Sequence, residues 1–385
     1  MDNTPLEINI RLTDTKRTLT PLSIPDYNEI ASGSSFNKNH IVFEVEIKNT
    51  PVDTLTIKIS QGTKVIYQET LNSTMHTIGK HEWSWDGFND LGILDTKLLK
   101  QSALTIELSA TAGKKIKKKS FSIRGIYAEQ DWVDVQIDRN RNQIEIELRT
   151  EITDGGNNGV GELPPEEVQQ STAYKHYPSS DPRRKKHIRL KSFNDLKALL
   201  LTYFKTHWSR KITASNGNVY DVIVNPVATK DKAMDDISIK YNTNREWLRS
   251  SNPGSVRGFY SLFGNFVPER IAYNIGWIEY QNGWAFVRSI NADKSFGETA
   301  AHELGHEILS AYGGDSYSYG HKGSSTVVSQ TTKKVANGGV SYPTSGEIDL
   351  MKYYNGSRPG DFYSRVYASE QDVKSLLWLA KINFN

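Results

Sequence analysis

The first third of the chain alternates between apolar and polar residues over short segments separated by turn residues. This period of two runs through residues 41–47, 55–59, 64–67, 103–110 and 117–123. Alternation places every second side chain on the same face, so each segment predicts a strand with one buried face. Several such strands in succession are typical of an antiparallel β-sandwich.

A turn-rich stretch from Trp83 to Gly92, WSWDGFNDLG, interrupts these strands. The W-D-G-x-x-D-x-G pattern within it resembles a turn of bacterial immunoglobulin-like modules. That resemblance implies a sandwich without catalysis. We therefore assign residues 1–127 to an Ig-like recognition or loading domain.

A hairpin and a flexible linker are expected next. Residues 132–138 and 142–152 predict two strands closed at Arg139-Asn140-Arg141, and residues 153–165 contain four glycines and a Pro-Pro pair. Such a composition favours a loop over a packed element. We assign residues 128–165 to this hairpin and linker, and residues 166–385 to a second domain.

Helices and strands mix in the second domain. Ser192, with Asp195 three residues later, predicts the start of a helix ahead of leucines spaced for one buried face. Strands are expected at 278–281 and 284–287, on either side of Asn282-Gly283, because this dipeptide is the strongest short hairpin signal. Together with the sandwich, these elements predict an α+β fold.

Another helix is predicted from Phe296 to Tyr312. Ser295 and Glu298 form a capping box at its start, and Gly313-Gly314 stop it. A C-terminal helix is expected from Ser369 onward. The candidate catalytic residues lie on the first of these two helices.

Residues 302–306 read HELGH and match the H-E-x-x-H pattern. Residues four apart lie one turn above each other, so His302 and His306 project from one face and can bind one zinc ion. Glu303 lies about 100° around the helix, from where it can act as general base without binding the metal. Gly305 is expected to let a neighbouring backbone or a substrate approach.

Composition narrows the chemistry further. The 385 residues include no cysteine, so the ligands of any metal must be His, Asp or Glu. The chain has 47 basic and 44 acidic residues, and its formal charge of +3 is too small to argue for a nucleic-acid partner. Without a run of 18 apolar residues or an apolar N-terminal stretch, we expect no transmembrane segment and no cleaved signal peptide.

A catalytic zinc ion normally has three protein ligands, so a third is required. Leu309 and Tyr312 stand where a metzincin would carry glycine and histidine, which excludes that subclass. Glu347 is the preferred third ligand, because it opens a new element beyond the helix, as in gluzincins. His321 and Asp349 are the alternatives.

The stretch 302–354, with HELGH, YSYGHKGSS and GEIDLMKYY, resembles the zinc metallopeptidase effector domains of bacterial type VI secretion spike and Rhs-type toxins. This resemblance implies a zincin-like α+β metallopeptidase domain. It also implies that His302, His306 and Glu347 bind Zn²⁺ and that Glu303 is the base. The implied biology is attack on rival bacteria, with an immunity protein and a secretion-spike or delivery partner.

Tyr319 and His321 are further catalytic candidates, because zincins commonly use Tyr or His to stabilise the oxyanion. The sequence therefore predicts a zinc-dependent peptidase that hydrolyses amide bonds in envelope protein or peptidoglycan stem peptides. We expect it to be cytoplasmic in the producer and delivered to the periplasm of a target bacterium. The alternatives are a binding module with a structural zinc site and a cytosolic housekeeping metalloprotease.

Overall fold

The computed structural model describes residues 5–32, 38–158, 191–242, 248–252, 269–274, 276–280 and 284–385. These residues form a mixed α/β structure with several sheets and two compact units. The first unit comprises Met1–Glu147, Lys211–Ile223 and Lys374–Asn385, and the second comprises Leu148–Arg210 and Val224–Val373. No described helix is long and apolar enough to cross a membrane.

Strands dominate the first part of the chain. They are β1 (Glu7–Leu12), β2 (Thr18–Leu19), β3 (Ile41–Lys48), β4 (Thr54–Gln61), β5 (Lys64–Thr70), β6 (Gly79–Trp85), β7 (Ile93–Asp95), β8 (Leu104–Ala112), β9 (Lys115–Ile123), β10 (Gly125–Tyr127), β11 (Val133–Asp138) and β12 (Gln143–Asn158). The short helices between them are α1 (Tyr27–Ser32) and α2 (Thr96–Gln101).

The longer helices lie in the rest of the described chain. The helices there are α3 (Phe193–Trp208), α4 (Ala292–Gly313), α5 (Asp315–Tyr319) and α6 (Glu370–Leu379). The strands are β13 (Arg210–Thr213), β14 (Val219–Ala228), β15 (Met234–Asn242), β16 (Arg270–Asn274), β17 (Gly276–Tyr280), β18 (Trp284–Arg288), β19 (Val340–Ser341), β20 (Ile348–Asp349), β21 (Tyr354–Asn355), β22 (Val366–Tyr367) and β23 (Ile382–Phe384).

Alternating strands build two antiparallel sheets in the first unit, with the orders β1-β3-β6 and β5-β4-β8-β9. Phe43 of the first sheet packs on Phe121 of the second, with ring centroids 6.2 Å apart. The strands predicted between residues 41 and 123 are confirmed. Trp83 and Trp85, predicted within a turn, lie in β6 instead, because the pairing of β6 with β3 continues through both residues.

The C-terminal strand belongs to the first unit. β23 pairs in antiparallel with β2 and with β10. This long-range pairing places the C-terminal residues in the first unit, which also contains Lys211–Ile223, so the units differ from the contiguous ranges 1–127 and 166–385 expected from the sequence. Residues 153–158 of the expected linker continue β12, and its residues 159–165 lie outside the described part.

In the second unit, β15 pairs in parallel with both β12 and β16. β17 and β18 form the antiparallel hairpin predicted around residues 278–287, and its turn at Asn282-Gly283 lies outside the described residues. Helix α3 starts as predicted, with a reciprocal capping box between Ser192 and Asp195. Helix α4 begins at Ala292, three residues before the predicted cap, so this cap prediction is wrong.

Close packing around α4 explains the glycine of the HELGH segment. A β-carbon at Gly305 would lie 2.5 Å from Met351 Sδ and 2.9 Å from the ring of Trp208. Trp208 Nε1 also donates a hydrogen bond to the carbonyl oxygen of Ala301, at 3.1 Å. Gly305 therefore lets α3 and the Met351 side chain pack against α4, rather than admitting a substrate.

Candidate metal centre

Helix α4 carries His302 and His306 one turn apart, and both are buried. Their ring centroids lie 4.7 Å apart. Gly314 follows the helix with φ of +80°, in the left-handed region that glycine adopts without steric cost. This predicted stop is confirmed, and it lets the chain turn back directly after α4.

His321, in the turn after α5, completes a cluster with these two histidines. Its ring centroid lies 5.2 Å from that of His302 and 4.8 Å from that of His306. One ring nitrogen of each residue lies within 4.8 Å of the others, an arrangement that can hold a metal ion. His321 and Lys322 have φ of +48° and +56°. Such left-handed conformations are uncommon outside glycine and are concentrated at functional sites.

A buried ion cluster holds this turn. Lys322 Nζ lies 2.7 Å from Asp349 Oδ2, 2.9 Å from each carboxylate oxygen of Asp372 and 2.8 Å from Ser369 Oγ. The side chains of Lys322 and Asp372 are 9% and 0% exposed. Water therefore solvates these two charges little, and each charge is stabilised by the other. Asp349, an alternative third ligand in the sequence, is therefore bound to Lys322 instead.

Each imidazole is oriented by a hydrogen bond at Nδ1. The pairs are His302 with the carbonyl oxygen of Leu350 at 2.7 Å, His306 with Ser318 Oγ at 3.1 Å and His321 with Ser325 Oγ at 2.7 Å. A carbonyl oxygen only accepts, so His302 carries its proton on Nδ1. Ser318 Oγ donates to the carbonyl oxygen of His306 at 2.6 Å, so it accepts from the ring. Ser325 Oγ likewise has the carbonyl oxygens of Tyr319 and Thr326 at 3.4 and 3.3 Å, and its one proton can be donated to either of them.

This tautomer leaves the lone pair of each ring on Nε2, the form in which histidine binds metals. Nε2 of His302 and of His321 is buried and has no hydrogen-bond partner among the described residues. Burial lowers the pKa of all three rings, and that of His321 to about 2, so the imidazoles are neutral at physiological pH. This donor set fits Zn²⁺, which favours neutral imidazole nitrogen.

Glu347, the preferred third ligand in the sequence, is not brought to the histidines. Its side chain is 58% exposed, and its Oε2 forms an ion pair with Arg210 at 2.9 Å. It directly precedes the short strand β20 and pairs with Arg210, so the gluzincin-like ligand position expected from the sequence does not match the structure. His321 lies beside the two motif histidines instead, in the turn that follows α5.

Glu303 lies next to the cluster and is buried. Its Oε2 accepts a hydrogen bond from the backbone N–H of Asn252 at 2.9 Å, and Asn252 Nδ2 donates to the Glu303 carbonyl oxygen at 3.1 Å. Burial raises the pKa of Glu303 to about 8. A dication at the histidines would favour the ionised carboxylate and lower this pKa.

A cleft of about 320 Å³ opens at the site, and His302, Glu303 and Tyr353 line it. The Tyr353 ring stacks on His321 with centroids 3.6 Å apart. Burial raises the pKa of Tyr353 to about 12, so its hydroxyl keeps its proton. No role was predicted for Tyr353 from the sequence. The signal that could have identified it is its position in GEIDLMKYY, one of the segments that resemble effector metallopeptidases.

The two predicted oxyanion donors, Tyr319 and His321, do not line the cleft. Tyr319 is 1% exposed, stacks on His306 with centroids 5.0 Å apart and does not line this cleft. His321 belongs to the histidine cluster. Three other tyrosines, Tyr342, Tyr353 and Tyr354, line the cleft, and of these Tyr353 stacks on His321 of the cluster.

Glu307, one turn after Glu303, is a half-buried residue whose replacement is expected to stabilise the protein. Its Oε1 accepts a hydrogen bond from the N–H of Asp235 at 3.2 Å, its Oε2 is buried without a partner among the described residues, and burial raises its pKa to about 8. Between the unfolded pKa of about 4.3 and the folded one, the folded state holds a proton that the unfolded state releases. Stability therefore falls as pH rises through this window.

Glu307→Gln removes this titration. We expect it to raise the free energy of unfolding by about 3 kcal/mol at pH 7 and by almost nothing at pH 4. Urea unfolding at both pH values measures the difference, with Glu7→Gln at an exposed position as control. An equal gain at both pH values would contradict the assignment.

Comparisons with known proteins identify no family for this chain. No protein-family model matches it, and neither does any curated protein. A β-glucuronidase of Parabacteroides merdae matches with a TM-score of 0.19 and 9% identity, over 78% of this chain and 32% of that one. A β-glucuronidase from Ruminococcus gnavus matches with a TM-score of 0.17 and 5% identity, over 80% and 35%. The chain spans about a third of the length of these enzymes, and similarities this weak carry no argument.

Proposed function

We propose that this chain is a zinc-dependent hydrolase of amide bonds. The buried cluster of His302, His306 and His321, with a cleft and the Glu303 carboxylate beside it, carries the proposal. Three histidines leave one zinc coordination position for water or substrate, whereas structural zinc sites normally have four protein ligands. The cleft supplies the space that a substrate needs.

The residues of the chain divide the chemistry between them. The three histidines would hold the ion through Nε2, and zinc there would supply Lewis acidity toward a carbonyl oxygen and a water molecule. Glu303 would accept the proton of the attacking water and pass it to the leaving nitrogen. The Tyr353 hydroxyl would donate a hydrogen bond to the developing oxyanion.

The biological part of the proposal rests on the similarity of residues 302–354 to effector metallopeptidases. We propose a zincin-like domain that cleaves envelope protein or peptidoglycan stem peptides in the periplasm of a target bacterium. An immunity protein and a delivery partner would accompany it. The antiparallel sheets of the first unit support an immunoglobulin-like module for recognition or loading.

Chelation tests the function. Incubation with 1,10-phenanthroline is expected to abolish hydrolysis of protein or stem-peptide substrates, and added Zn²⁺ is expected to restore it. The circular dichroism spectrum is expected to stay unchanged, because a catalytic metal is not required for the core. Unfolding on chelation, together with no hydrolysis by the zinc-loaded protein, would contradict the proposal and indicate a structural metal.

A further inference from the structure

An arginine side chain lines the cleft beside the histidine cluster. Arg358 lines the cleft together with His302 and Glu303. One of its terminal nitrogens lies 3.5 Å from Glu298 Oε2. Glu298 precedes His302 by four residues on α4, which is a rise of about 6 Å. The guanidinium is therefore up to about 10 Å from His302, which corresponds to about three residues of extended peptide.

The guanidinium is oriented by its neighbours. It stacks over the ring of Phe362 at 4.3 Å, and Tyr342 lines the cleft together with it. Its contact with Glu298 is long, and the Arg358 side chain remains 49% exposed. Arginine has five N–H donors in a planar fork, so an edge remains for an anion. A fork held in place in advance loses less entropy when it binds a ligand.

The other charges around the cleft also favour an anion. Asp349 lines the cleft, but Lys322 neutralises it. Lys352 adds a second cation; its side chain is 33% exposed, and its Nζ lies 4.0 Å from Asp349 Oδ2. Burial raises the pKa of Glu298 and so weakens it as a counter-ion for Arg358. A negatively charged substrate group would therefore meet two cations, Arg358 and Lys352, in a cleft that the carboxyl groups of Glu298 and Glu303 also line.

We propose that Arg358 binds a carboxylate of the substrate. The enzyme would prefer an acidic side chain, or a free C-terminal carboxylate, within about three residues of the bond that it cleaves. This inference rests on the proposed function and names the substrate class. A charge-assisted, bidentate contact of this kind is expected to strengthen binding about 10- to 100-fold.

Peptide binding to the zinc-loaded Glu303→Gln protein tests the inference without turnover. The probes are blocked alanine-rich hexapeptides with Glu or Gln at each position in turn, and a pair with free or amidated C-terminus. We expect the acidic member of the preferred pair to bind about 10- to 100-fold more tightly, measured by calorimetry. Preference for a Glu position or for the free C-terminus identifies the source of the carboxylate.

Variants in the same background link the preference to Arg358. Arg358→Met is expected to reduce the ratio to about one, and Arg358→Lys, which keeps the charge without the fork, to an intermediate value. Lys334→Met, at an exposed position outside the cleft lining, is expected to keep the full ratio. A preference that persists in Arg358→Met, or no preference at all, overturns the inference.

The same data separate this inference from the function. Hydrolysis by the wild-type chain without an acid preference would overturn the role of Arg358 and leave the proposed function intact. An Arg358-dependent preference in a chain whose wild type hydrolyses none of the peptides would support the carboxylate site and contradict the hydrolase.

Discussion

Glu303→Gln is expected to lower kcat/KM for peptide hydrolysis by about 10²- to 10⁴-fold while the protein keeps its zinc and its fold. Glutamine has nearly the same shape, and its oxygen can still accept the hydrogen bond from the N–H of Asn252. It cannot take a proton from water, so the loss is confined to the base. Rate measurements and elemental analysis on the same samples test this directly.

Glu307→Gln is the matched control on the same helix. Glu307 contacts the backbone of Asp235 and does not line the cleft, so this variant is expected to hydrolyse at the wild-type rate. If Glu303→Gln kept a rate within tenfold of wild type, Glu303 would not be the general base.

The second large effect concerns the metal. His321→Asn is expected to lower zinc affinity by more than about 100-fold, because loss of an outer partner of a ligand already costs about 10- to 100-fold. Asparagine is the better replacement, because it tolerates the φ of +48° at this position. Competition with a chromophoric chelator measures the affinity, and elemental analysis after dialysis measures the zinc content.

Glu347→Gln is the control for this experiment. Its carboxylate pairs with Arg210 and is largely exposed, so the variant is expected to retain zinc at the wild-type level. Zinc lost from Glu347→Gln but retained in His321→Asn would overturn the histidine ligand set. That result would restore the arrangement favoured by the sequence.

The strands of the first unit and the helix-borne residues of the site could be predicted because their signals are local. Alternation over 41–47 or 103–110 determines which side chains share a face. The four-residue spacing of His302 and His306 places both rings on one face of any helix. Ser295 and Glu298 have the spacing of a capping box, which predicted the start of α4 at Ser295. The helix begins three residues earlier, at Ala292, so the predicted start is wrong.

His321 was an alternative third ligand in the sequence, but the choice of His321 over Glu347 could not be predicted, because its position depends on contacts that are distant in sequence. His321 follows His306 by fifteen residues and reaches it through the turn at Gly314 and helix α5. Lys322 then holds the turn through Asp372, fifty residues further along. An exposed glutamate before a strand and a glutamate that binds metal have the same local sequence pattern.

The sequence by itself determined the type of most elements and placed two histidines and a glutamate on one helix, because these features arise from interactions within a few residues. Only the tertiary structure decided that His321 joins them, that Glu347 pairs with Arg210 and that Arg358 enters the cleft. It also decided that β23 completes the first unit. These outcomes depend on which distant segments pack together. The free energy that decides this is the sum of many small burial and electrostatic contributions, and a local sequence pattern does not determine that sum.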